Sequence, residues 1–122
     1  MISSDAIAAT AVNVLPAVSA ANTAAATSGW IDVRKYKGTL LVTVVTGAIT
    51  GSFVGKLRSA TDGSGTGAAD ITGATHTSVS TADQVKTIAI PATSAVGGYL
   101  QYVGTVTTGP VLIGVTMHAH PG

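Results

Sequence analysis

From Gly29 onward, apolar side chains recur at every second position, the period of strands whose neighbouring side chains point to opposite faces. Thr39–Thr46 (TLLVTVVT) is rich in β-branched residues and nearly continuous, which predicts a strand covered on both faces. In Gly51–Ala60 (GSFVGKLRSA) the alternation is clean, with Phe53 and Leu57 on one face and Lys56 and Arg58 on the other. Asp70–Ser80 predicts a weak strand. Gln84–Ile90 predicts a better one that ends at Pro91, which has no N–H to give to a ladder. Tyr99–Val106 and Val111–Met117 complete the series, with Val111, Ile113, Val115 and Met117 sharing a face. Thr61–Ala69, Gly97–Gly98 and Thr107–Pro110 supply the turn chemistry between these runs. Seven or eight short strands at spacings of about 8–12 residues predict an all-β, antiparallel β-sandwich, with a jelly roll as the candidate topology.

Residues 1–28 differ in character. Alanine favours helix there, but Thr10, Val12, Val14 and Val18 weaken the preference and Pro16 breaks an interior turn. Alternation at Val12 and Val14 predicts an extended N-terminal arm or edge strand instead, so the chain divides into 1–28 (arm or edge strand) and 29–122 (sandwich).

Composition narrows the classes of function. The 122 residues suffice for one domain with its own core. Only 9% of residues are charged, against about 25% in ordinary soluble domains, which suits a surface partly covered by partners. A net charge of +1 gives no footprint for nucleic acid. No apolar run approaches the roughly 18 residues of a membrane helix, and no Lys or Arg precedes Arg34 to make a secretory signal, so a soluble protein is expected. The absence of cysteine removes disulfides and thiolate chemistry.

Candidate chemistry is sparse. The five acidic residues, Asp5, Asp32, Asp62, Asp70 and Asp83, sit near turns and strand ends, where such side chains cap local backbone. His76 with Asp70 or Asp83 and a serine makes a conceivable triad, but no Gly-x-Ser-x-Gly elbow accompanies it. His118 and His120 form an H-x-H pair with no third ligand at metal-binding spacing, and a solvated C-terminal tail is expected there. Asp62–Gly67 lacks the lysine and following helix of a phosphate loop. The expectation is therefore no enzyme, no cofactor and no metal. The cluster that stands out is Trp30, Arg34, Lys35, Tyr36 and Lys37, read as a solvated loop with Tyr36 over the sandwich end, as a contact to an acidic partner surface, or as a phosphate or nucleobase site.

The order of these features resembles that of small β-rich bacteriophage proteins that decorate or cement a capsid. A small-residue N-terminal segment precedes Gly29-Trp30-Ile31-Asp32-Val33-Arg34-Lys35-Tyr36-Lys37-Gly38 and the Thr39–Thr46 strand. A strand with Lys56 and Arg58 then leads into the Asp62–Gly67 turn, Asp70-Ile71-Thr72-Gly73-Ala74, the Ile88–Ile90 strand and the terminal strand pair. The resemblance spans about residues 29–118 and implies a virion protein on the capsid surface. Its implied partners are the major capsid protein, bound where capsid subunits meet, and further copies of itself as a dimer or trimer, with neither nucleic acid nor membrane. Phage tail or fibre-associated subunits share the style, and a glycan or cell-surface binding module, for which Tyr99 is the residue to inspect, is the other class to separate.

Overall fold

A computed structural model describes residues 10–20, 25–108 and 110–121. Among these lie nine strands: β1 (Thr10–Ala20), β2 (Ala25–Thr27), β3 (Ile31–Asp32), β4 (Tyr36–Ile49), β5 (Ser52–Ala60), β6 (Ala69–Thr75), β7 (Val85–Pro91), β8 (Tyr99–Thr108) and β9 (Val111–Pro121). A 3₁₀ turn, Ala92–Ser94, follows β7. The strands form two antiparallel sheets. The front sheet runs β1-β9-β4-β7, and the back sheet runs β2-β8-β5-β6 with β3 also on β8.

The short strands β2 and β3 are two pieces of one interrupted strand. Both pair with β8, at Val103–Thr105 and at Tyr99–Leu100. Ser28 closes the gap between them. Its N–H donates to the Tyr102 carbonyl at 2.9 Å, and its Oγ accepts the Tyr102 N–H at 2.9 Å. Counted that way the sandwich has eight strands, and the chain changes sheet at every connection but the β5–β6 hairpin. This is the double Greek-key connectivity of a jelly roll. Residues 10–20 and 25–27, in the segment expected as arm or edge strand, pair as the outermost strands of the two sheets, while residues 1–9 lie outside the described residues.

The core follows from the alternation. Leu40, Val42 and Val44 of β4 and Ile113, Val115 and Met117 of β9 point inward from the front sheet. Phe53 and Leu57 of β5 and Leu100, Tyr102 and Val106 of β8 meet them from the back. Burying one such side chain stabilises the fold by about 1.5–3 kcal/mol relative to leaving it in water.

Two expectations are corrected. The Thr39–Thr46 run is covered on one face only: Leu41 keeps 38% and Val45 49% of their surface exposed. The C-terminal histidines are not in a tail, because β9 continues to Pro121 and sets His118 opposite Leu41.

Candidate partner interface at one end of the sandwich

Loops 33–35, 61–68 and 92–98 converge at one end of the sandwich, where β3, β5 and β7 finish and β4, β6 and β8 begin. Their glycines permit close approach. Gly97 (φ +95°) passes so near β5 that a Cβ there would lie 2.6 Å from the Ala60 carbonyl oxygen. Gly98 (φ +91°) lies directly under the aliphatic part of Arg34. Both positions combine left-handed backbone with no room for a side chain.

Arg34 is held from two sides. Its Nη2 donates to Asp32 Oδ2 at 2.8 Å and its Nε to Asp32 Oδ1 at 3.0 Å, the two-pronged geometry that suits guanidinium and carboxylate. The same Oδ1 accepts the Arg34 backbone N–H at 3.0 Å. The Arg34 side chain therefore holds the Asp32 carboxyl well down, to about 2. The guanidinium also lies 5.2 Å from the centre of the Tyr99 ring.

Lys35 and Lys37 flank Tyr36, which is buried, with the Lys35 ammonium 5.4 Å above its ring. Among the described residues, neither lysine is paired with a carboxylate. Arg34, Tyr36 and Lys37 share with Val33, Ala95 and Gly98 the wall of a cleft of about 230 Å³. Trp30 stands apart from it: the half-buried indole packs on Gly65 (φ +84°), whose absent Cβ would lie 2.8 Å from Nε1. Thus three of the five residues singled out in the sequence line one cleft, Lys35 covers its tyrosine, and Trp30 supports the neighbouring loop.

That loop is fixed by its own side chain. Asp62 Oδ1 accepts N–H bonds from Ser64 at 2.8 Å and Thr66 at 3.2 Å, and hydrogen bonding from Thr66, then Ser64 and Gly65, lowers the Asp62 pKa. Asp70 serves differently, bridging Lys56 Nζ and Arg58 Nε across the outer face of the back sheet, each at 3.0 Å. The contribution of Tyr99, Ala95 and Gly98 to this end was not found from the sequence; the Gly97–Gly98 pair marked a turn there but not what packs on it.

Among the described residues, His76 has no hydrogen-bonded acidic neighbour of the kind a triad requires. Its Nδ1 faces the Thr77 carbonyl at 2.8 Å, which places the proton on that nitrogen, and Nε2 accepts the Tyr102 hydroxyl at 2.8 Å. Burial lowers the His76 pKa and raises that of Tyr102. Among the described residues, no group of three or more His, Cys, Asp or Glu is arranged to hold a metal ion.

No family model and no curated protein matches the chain. Among solved structures, the chain is similar to one described as the crystal structure of PirA. The two align over 93% of this chain and 94% of that one, at 11% identity and a TM-score of 0.48.

Proposed function

We propose that this chain is a structural virion protein that decorates a phage capsid and stabilises it by binding where major capsid subunits meet. The observation that carries this reading is the loop end itself. There Arg34, Tyr36 and Lys37 line a cleft, with Lys35 over the Tyr36 ring beside it, on loops that tight glycine turns bring close together. Such a surface offers an acidic protein partner two kinds of contact, ammonium groups to pair and an apolar hollow to fill. Its affinity for one site is modest. On a symmetric lattice, many copies held at fixed spacing reinforce the shell without any reaction taking place.

Tyr99, on which a glycan-binding reading turns, is half-buried with the Arg34 guanidinium over its ring, so that face of the ring is not offered to a sugar. The test is co-sedimentation and electron microscopy of the purified chain with shells of the virion from which it comes. Density at regular lattice positions, and at least about tenfold weaker binding for the Lys35→Glu/Lys37→Glu double variant, is the expected result. Shells that stay bare overturn the reading, and rings or tubes formed by the chain alone move it to the tail.

A further inference from the structure

The two outer faces of the sandwich differ in kind. The back sheet carries Lys56, Arg58 and Asp70 in an ion-paired row. The front sheet presents three cross-strand rows, Val85–Val45–Gly114, Thr87–Thr43–Thr116 and Ala89–Leu41–His118, with no Asp, Lys or Arg among them. The neighbouring strand β1 adds no charged residue either. Val85 is 60% exposed and Leu112, which lies across Gly47, 40%. The β4 sequence at the centre of this face is of the type found in strands buried on both sides, yet the described residues cover only one side.

We infer that the outer face of the β1-β9-β4-β7 sheet packs against the same face of a second copy. Two features of the face select a copy of itself. The first is charge. The interior of the face is neutral, but its two ends are not: exposed Lys37 stands opposite His120 at one end, and exposed Asp83, whose N–H donates to the Gly47 carbonyl at 3.1 Å, marks the other. A two-fold axis through the Thr43 row and perpendicular to the strands lays the Lys37 end of each copy over the Asp83 end of the other. The second is relief. The same axis sets Val85 over Ala89 and His118 over Gly114, large over small in both cases.

The area is adequate. From the Lys37 row to the Gly47 row the face runs about 33 Å, and across four strands about 19 Å, so a pair of copies covers roughly 600 Å² on each, or about 1,200 Å² together. That is the lower edge of specific interfaces, the size at which associations are weak and transient. The inference does not depend on the docking reading above: Lys37 stands at the edge shared by the two surfaces, but the dimer is measured without shells.

The test is sedimentation equilibrium of the purified chain over a concentration series. The expected result is a reversible monomer–dimer equilibrium. Thr43→Arg, which sets two guanidinium groups against each other on the axis, raises the dissociation constant roughly 100-fold or more, whereas Thr43→Val keeps or tightens the dimer. Unchanged far-UV circular dichroism shows that both variants fold, as expected for an outward side chain. Lys37→Glu weakens the dimer, and adding Asp83→Asn restores part of the loss. A chain that stays monomeric at all concentrations, or a Thr43→Arg variant that still dimerises, overturns the inference. A Lys37→Glu variant that dimerises as the parent does overturns the assigned axis.

Discussion

Tyr102→Phe removes one oxygen atom, and its cost can be worked out from what that oxygen touches. The Tyr102 hydroxyl donates to His76 Nε2, and the imidazole is buried between Tyr102 and the edge of Phe53, whose ring centre is 5.6 Å away. Because the Thr77 carbonyl fixes the proton on Nδ1, Nε2 is left as a buried acceptor with no donor. An orphaned buried group costs about 1–3 kcal/mol. At about 2.1 cal/mol/K of unfolding entropy per residue, 122 residues give about 0.26 kcal/mol/K, so Tm falls by roughly 4–12 °C. Thermal unfolding followed by circular dichroism at pH 7.5 measures it. The companion variant His76→Phe/Tyr102→Phe removes the orphan and should lie closer to the parent than Tyr102→Phe does, since replacing both partners by apolar groups is nearly neutral. A Tyr102→Phe variant melting within about 2 °C of the parent, or a double variant worse than the single, would refute this account of the pair.

Three further outcomes follow from the same region and its neighbours. Gly55→Ala should be markedly destabilising in thermal melts, because its Cβ would collide with the Tyr102 phenol lying across it. Stability should also fall on acidification. The folded His76 pKa lies below the unfolded value of about 6.5, so its contribution is whole above that pH and declines as pH drops toward the folded value. Urea unfolding midpoints of parent and His76→Phe, compared between pH 7.5 and 5, should show a smaller decline in the variant. Finally, Asp62→Ala should speed hydrogen exchange at the Ser64 and Thr66 amides while leaving β5 and β8 protected, because that carboxylate holds only its own loop.

The strands were legible because alternation survives in the sequence wherever one face is buried. Phe53 and Leu57 against Lys56 and Arg58 lie as expected, and so does the inward row from Val111 to Met117. Sheet membership was not legible, since pairing β4 with β9 joins positions some seventy residues apart and leaves no local trace. The His76–Tyr102 bond spans 26 positions and was hidden for the same reason. One clue was present: Gly55, inside an otherwise regular strand, signals that something approaches the backbone closely, and that something is Tyr102. At the candidate site, the cations were visible as a cluster but their division of labour was not. Asp32 lies two residues before Arg34 and takes it up, so Lys35 and Lys37 carry the charge still open to a partner.

The two proposed surfaces constrain each other. The loop end lies where the strands finish, whereas the neutral face runs along them, and Lys37 stands at the edge where the two meet. An axis perpendicular to the strands points the loop ends of the two copies in opposite directions. A dimer built that way meets a shell through one end only, and its second copy adds no avidity. Thr43→Arg should therefore leave shell affinity per chain close to that of the parent. If the two ends pointed the same way, losing the dimer would lower affinity by roughly 10²–10⁴-fold. Titrating shells with parent and Thr43→Arg separates these arrangements, and loss of binding in Lys35→Glu reports on the loop end, because Lys35, unlike Lys37, takes no part in the proposed dimer.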